Sequence, residues 1–268
     1  MNSVKLSIIT VTLNNLEGLK KTYESVVCQT FTDYEWLVID GGSTDGIREF
    51  IEQHQDKFAY WCSEPDKGIY NAMNKGIIRA KGEYLNFMNS GDSFVCEDTL
   101  EGVFGKERDK DILFGYVMEG EANGVCCEKW LMKKTINWYD FFSHSLPHQG
   151  TFIKSILFSE IGLYDENCRI VSDWKWFVEA LFNFDVSYEF IPNKIAVFQK
   201  GGLSYSTDCL SERARQRKML FPKYIRETDI QNLTKMSSIQ SSKLAMFFFK
   251  IASTIAWQTE RLKHRYKR

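Results

Sequence analysis

The sequence predicts an α/β fold built on a largely parallel sheet. Short β-branched runs alternate with helical patterns through the first hundred residues, and polar turns end each run. A chain of 268 residues with 44% hydrophobic and 15% aromatic content buries a full core, which excludes a disordered chain or a small disulfide scaffold.

Each element follows from its local pattern. Residues 6–13 read as a buried first strand, because β-branched residues dominate and no small-residue cleavage site follows. Residues 16–27 carry helical spacing, 35–40 form a second strand, and 44–54 a second helix. Residues 58–63 are extended, 69–80 helical and 84–88 extended again. Past Asp92 the period loosens, with strands expected at 111–117 and 125–132 and a short helix near Trp138. A further extended run at 150–154 precedes helices at 155–161 and 173–182. No low-complexity linker interrupts this, so residues 1–205 read as one domain and 206–268 as a helical C-terminal region.

The formal charge of −1 argues against a general polyanion binder, and nucleic acid is not an expected partner. The charge is uneven, however. From Leu210 onward 14 basic and 4 acidic residues give +10, against 20 basic and 31 acidic residues, −11, before it. Seven cysteines form no CxxC pair, which fits a reduced, cytoplasmic compartment. No stretch reaches the ~20 apolar residues of a spanning helix. The longest candidate, 244–257, is interrupted by Lys250.

In an open α/β sheet, ligands gather where strands end, because the loops there present helix N-termini and free amides. Four such turns stand out: Asn14-Asn15, Asp40-Gly41-Gly42-Ser43, Glu64 to Gly68, and Asn89-Ser90-Gly91-Asp92. Asp40 reads either as part of an ordinary strand-to-helix turn, with Ser43 or Thr44 capping the next helix, or as a carboxylate for a base or ribose. The first turn lacks the GxGxxG dinucleotide fingerprint. Glu64 to Gly68 offers two carboxylates and an amine, or simply a solvated Pro/Gly turn. Asp92, with amide and hydroxyl neighbours, suits a hard cation that also binds phosphate, although one carboxylate is a thin metal site. Asp173 stands where it can either cap a helix or act as a base.

Taken together, the segments LSIITVTLN (Leu6 to Asn14), WLVIDGGSTDG (Trp36 to Gly46), SEPDKGIYNAMNKG (Ser63 to Gly76) and GEYLNFMNSGD (Gly82 to Asp92) resemble the inverting family 2 glycosyltransferases. That resemblance implies a GT-A, Rossmann-like nucleotide-sugar domain with a mostly parallel central sheet, followed here by a basic helical tail. It implies that Asp40 and Asp66 hold the uridine of a UDP-sugar, with Thr12 to Asn14 lining the base pocket. It puts Asn89 to Asp92 at the family's Asp-x-Asp metal motif, where Asn89 and Gly91 replace the carboxylates and Asp92 alone is acidic. Mn2+ or Mg2+ is the cofactor implied.

The same resemblance makes Asp173 the general base, with Ser172 in place of the usual Glu. His148 resembles a segment bordering the acceptor side, is equally a structural histidine, and stays outside the catalytic set. Lys200 to Ser204 resembles a glycine loop that closes over the diphosphate, or is a plain turn. A Gln-x-x-Arg-Trp motif is missing, which favours transfer of a single sugar.

The expected activity is therefore transfer of a hexose to a hydroxyl of a glycan, with a polyprenyl-diphosphate-linked acceptor, in cell-surface polysaccharide synthesis. The aromatic and basic stretch 244–268 reads as an interfacial helix on the inner face of the membrane, or as a helix packed on the domain or on a second subunit. The alternative function is a non-catalytic nucleotide-sugar binder or assembly protein with a degenerate metal motif. The sugar, the linkage and the oligomeric state are not encoded in any motif.

Overall fold

A computed structural model of the chain describes residues 4–120, 125–126, 136, 138–198 and 207–220. The elements are β1 (Leu6–Thr12), α1 (Leu16–Val27), β2 (Tyr34–Asp40), α2 (Ile47–Gln53), β3 (Tyr60–Ser63), α3 (Ile69–Arg79) and β4 (Tyr84–Phe87). They continue with β5 (Ser93–Phe94), α4 (Thr99–Phe104), β6 (Ile112–Glu119), β7 (Val125–Cys126), α5 (Trp138–Ser143), β8 (Thr151–Lys154), α6 (Ile156–Glu160), α7 (Ser172–Phe182), β9 (Tyr188–Phe198) and α8 (Thr207–Leu220).

Nine strands share one sheet in the order β3-β2-β1-β4-β8-β6-β9-β5, with β7 paired to β6. β1, β2, β3 and β4 are parallel, β8 runs antiparallel to both β4 and β6, and β6 and β9 are parallel again. The chain winds outward from β1 through β2 to β3, then crosses back to lay β4 on the other side of β1. Strand order thus reverses between β1 and β4, where an open sheet forms its ligand crevice.

Both faces of the sheet are covered, which explains why the central strands read as continuous apolar runs. Along β1, Ile9 and Val11 join a core with α3, α5, α6, α7 and α8, while Leu6 and Ile8 join a second core with α1, α2 and α4. Every residue of β1 is buried; Ser7 and Thr10 are satisfied inside the sheet, and only the Thr12 hydroxyl at its carboxyl end is left without a partner. Trp36 Nε1 donates to Thr10 Oγ1 at 2.9 Å, and Thr10 donates in turn to the Met88 carbonyl at 2.7 Å. Gly76 lets α3 lie directly on β1, since a Cβ there would stand 2.5 Å from Ile9 Cγ2.

Two features depart from the sequence reading. The second helix begins at Ile47 rather than at residue 44, behind Gly46, because Ser43 and Thr44 are engaged with Asn14 of the loop after β1. β9 carries no regular alternation, since Pro192-Asn193 forces a bulge: Phe114 pairs with Phe190 but Tyr116 with Lys194. Gly115 admits the bulge, with the Asn193 carbonyl 2.8 Å from where its Cβ would lie. Of the strand expected at 125–132, only Val125–Cys126 falls within the described residues.

Candidate active site

A cavity of about 600 Å³ opens at the carboxyl ends of β1 and β4, where the strand order reverses. Its walls are the loops after β1, β2, β3 and β4 and the segment between α6 and α7. Thr12, Asp66 and Asn89, three of the residues singled out from sequence, line it together. Leu13, 60% exposed, gives the rim an apolar surface.

Neither Asn14 nor Asp40 lines the cavity. Asp40 is fully buried and its carboxylate is engaged by the protein. It accepts from the Ser43 amide and hydroxyl and from the Ser63 hydroxyl at 2.6 Å, tying β2 to β3. Asn14 adopts a left-handed backbone at φ 48°, which asparagine tolerates better than most residues. Its amide donates to Ser43 Oγ at 2.7 Å and its side chain accepts from the Thr44 amide at 2.9 Å. The pair fixes the shapes of the two loops on which the cavity rests.

Asp66 faces the cavity with its side chain 10% exposed and pairs with Lys75 Nζ at 2.5 Å. Lys75 also reaches Glu64 at 2.8 Å, and these carboxylates lift its pKa although burial opposes the charge. Gly41 makes room here, because a Cβ would press on Asp66 Oδ2 at 3.1 Å. α3 then starts at the cavity wall behind Gly68, at φ 129° and without a side-chain cap.

At the end of β4, Asn89 and Ser90 line the cavity, and the Asn89 Oδ1 is buried without a hydrogen-bond partner. Asp92 turns inward and is 9% exposed. Burial raises its pKa to about 6, with His148, Gln149 and Lys21 opposing the rise. Among the described residues no three His, Cys, Asp or Glu side chains are placed to share a metal ion. An amide, a hydroxyl and a carboxylate turned away from the cavity do not fit a resident Mg2+ or Mn2+, which seeks several hard anionic oxygens.

Asp173 is not a helix cap. Val171 occupies that position, and Asp173 lies in the first turn of α7 with its side chain 17% exposed. Tyr70, from the first turn of α3, donates its hydroxyl to Asp173 Oδ1 at 2.8 Å and also lies 2.6 Å from the Ile170 carbonyl. His148 Nδ1 lies 3.4 Å from Asp173 Oδ2, and its Nε2 faces the Asn89 amide nitrogen at 3.2 Å. Burial opposes the charge on Asp173, but His148, the Tyr70 hydroxyl and the Trp174 amide outweigh it and hold the carboxyl below its ordinary range. Burial likewise favours a neutral His148, yet Asp173 and Asp92 raise its pKa.

The segment between α6 and α7 was not legible as a site. Glu166 accepts from Asn71 and Asn74 of α3, each at 2.9 Å, and Asn74 also exchanges hydrogen bonds with the Tyr164 backbone. Glu212 of α8 accepts from the Arg169 and Ile170 amides at 2.7 and 2.9 Å, so α8 holds the far end of this wall. Asn71 and Asn74 lie one helical turn apart on α3, but no local pattern pairs them with Glu166. Residues 200–204 and 244–268 lie outside the described residues.

The glycosyl transferase family 2 model matches residues 7–124. An uncharacterised glycosyltransferase of Mycobacterium tuberculosis is 34% identical over 180 residues, covering 65% of this chain and 68% of that relative. A PGL/p-HBAD biosynthesis glycosyltransferase of Mycobacterium bovis is 28% identical over 211 residues, covering 76% and 80%. Among solved structures, Staphylococcus aureus TarS 1–349 in complex with UDP-GlcNAc superposes with a TM-score of 0.62 at 20% identity, over 74% of this chain and 59% of that one. The chain spans 36% of the longer TarS structure. The mannosyltransferase PcManGT of Pyrobaculum calidifontis, in complex with GDP-Man and Mn2+, gives 0.55 at 14% identity over 96% and 87%. At these identities the structures speak for the fold, which is of the GT-A type.

Proposed function

Because the chain belongs to glycosyl transferase family 2, we propose that this glycosyltransferase moves a hexose, with inversion, from a UDP-sugar to a hydroxyl of a polyprenyl-diphosphate-linked glycan in cell-surface polysaccharide or glycolipid synthesis. The observation that carries the reading is one cavity at the sheet's switch point, lined by Thr12, Asp66 and Asn89, with the Asp173 carboxylate placed beside it by Tyr70 and His148. A UDP-GlcNAc-bound neighbour favours uridine over the guanosine of the GDP-Man-bound one, and a relative named for glycolipid biosynthesis favours a lipid-borne acceptor.

In this reading Thr12 and Asp66 meet the uridine, Asn14 and Asp40 shape the loops beneath it, and Asn89 lies at the diphosphate. The acceptor oxygen forms its bond to the anomeric carbon as the bond from that carbon to the diphosphate oxygen breaks, and the electron pair leaves with UDP. Asp173 takes the hydroxyl proton.

No helix among the described residues is long and apolar enough to cross a membrane. Residues 206–268 are proposed as a basic helical region, beginning with α8, whose stretch 244–268 rests on the cytoplasmic face of the membrane. Flotation with anionic vesicles should carry the full chain and leave a chain ending at residue 243 behind.

The test of function is a panel of UDP- and GDP-sugars with a lipid-diphosphate GlcNAc acceptor, reading nucleotide release and product anomer. Release of UDP from one donor with a β-linked product supports the proposal. UDP binding without turnover on any acceptor supports the non-catalytic alternative.

A further inference from the structure

We infer that the donor's diphosphate is held, and its leaving charge neutralised, by this chain's own positive groups: the uncapped N-terminus of α3, Lys67 and Arg169. The inference rests on the donor reading above and replaces the cation that the Asn89 to Asp92 turn was expected to hold.

Breaking the bond to the sugar leaves negative charge on the diphosphate, and some positive group must meet it. The turn that closes β4 brings an amide and a hydroxyl to the cavity, with the carboxylate of Asp92 buried behind them. Positive charge enters from two other walls.

α3 is eleven residues long, has no acidic residue in its first turn and no side-chain cap at Gly68. Gly68, Ile69 and Tyr70 line the cavity, so the positive end of the helix dipole and its first amides border the open space. Asn71, the nearest side chain able to cap, accepts instead from the Lys67 amide at 3.2 Å. Nothing lies within 4 Å of where a Gly68 Cβ would be, so ligand atoms have room above the helix start. Independently, Thr12 lines the same cavity at 6% exposure with its hydroxyl buried and unpartnered. A buried hydroxyl without a partner costs free energy unless a ligand completes it.

Lys67 and Arg169 stand on opposite loops of that cavity. Lys67 is exposed and makes no ion pair among the described residues, and the neighbouring Asp66 is already matched by Lys75. Arg169 has one carboxylate neighbour, Asp208, at 3.7 Å, with both side chains mostly exposed, an arrangement worth little. Both cations are therefore free to turn onto a phosphate. Glu212 holds the Arg169 and Ile170 amides, which keeps the arginine's backbone at the cavity edge.

The test is calorimetric titration of the full chain with UDP, UMP and uridine, in EDTA and in Mn2+. UDP should bind in EDTA within about threefold of its affinity in Mn2+. Lys67→Ala and Arg169→Ala should each weaken UDP binding in EDTA by roughly tenfold or more, the scale of one charge-assisted hydrogen bond. Uridine binding should not change, and Lys67→Arg should restore most of the loss. Both side chains are exposed, so the variants should keep the wild-type circular dichroism. UDP binding that appears only with Mn2+ overturns the inference, as does wild-type UDP affinity in both alanine variants. No binding of UDP under either condition overturns the donor reading, and the inference falls with it.

Discussion

His148 joins the turn that closes β4 to the first turn of α7, with Nδ1 3.4 Å from Asp173 Oδ2 and Nε2 3.2 Å from the Asn89 amide nitrogen. One imidazole thereby links the donor side of the cavity to the carboxylate proposed as base. The amide of Asn89 fits a neutral ring that accepts at Nε2. A protonated ring would instead donate to Asn89 Oδ1, now unpartnered, after a simple turn of the amide.

Replacing Asp173 by Asn should remove proton acceptance while leaving the shape of the site. Transfer should fall by about 10²–10⁴, the usual worth of a general base. UDP affinity should stay within about threefold, since Asp173 does not line the cavity in which the nucleotide would lie. Near-normal turnover would remove Asp173 from the mechanism.

His148→Gln tests positioning. Its hydrogen bond and charge help hold the Asp173 carboxyl low, so the variant should move the acid limb of kcat/KM to higher pH, with kcat falling more than donor KM rises. Stability should follow the same pair. Asp173, with a lowered pKa, stabilises the fold above its unfolded value near 3.8 and loses that contribution as pH falls through the folded value. His148, with a raised pKa, stabilises below about 6.5 and loses that contribution as pH rises through its folded value. The difference in Tm between wild type and variant should therefore peak between those two values. A flat difference from pH 4 to 8 would show that the two groups do not interact.

Asp92 should behave in the opposite sense. Its folded pKa, about 6, lies above the ordinary 3.8, so the folded state keeps its proton longer and stability falls as pH rises through this interval. Two units correspond to about 3 kcal/mol as a ceiling. Asp92→Asn lacks this term and should gain stability relative to wild type between pH 3.5 and 7.5, read by denaturant titration. A cation seated on the carboxylate would favour its ionised form and reverse the sign, so the same titration in Mn2+ should leave the trend unchanged.

The parallel half was legible because β1, β2 and β4 are largely buried on both faces and announce themselves as apolar runs, and because each strand leads into a polar turn. Asp66 and Asn89 stand in those turns, Thr12 was implied by the family resemblance, and the three do share a cavity. Asp40 was legible as a carboxylate at a strand end, but nothing in sequence shows that Ser43 and Ser63 saturate it, since Ser63 comes from another strand. β9 was hidden by Pro192-Asn193, which breaks the alternation that identifies a strand. The wall at 166–169 was hidden for a different reason: Glu166 meets Asn71 and Asn74 across more than ninety residues of chain, and no local pattern records such a contact.

That clasp yields the last prediction. Asn74 is 3% exposed and its amide makes three bonds to the facing segment, two donated to the Tyr164 carbonyl and Glu166 and one accepted from the Tyr164 amide. Asn74→Ala removes all three and strands buried backbone groups of Tyr164, so the fold should lose about 2–4 kcal/mol. Glu166→Gln is milder, because a neutral amide oxygen can still accept from one of the two asparagines. It should cost about 1 kcal/mol or less. The functional consequence separates the two variants from a change at the base. Both should raise donor KM, because the wall carrying Arg169 loosens from α3, while kcat at saturating donor stays within about threefold in Glu166→Gln. A loss of kcat at unchanged KM in Glu166→Gln would move that carboxylate from the wall of the site into its chemistry.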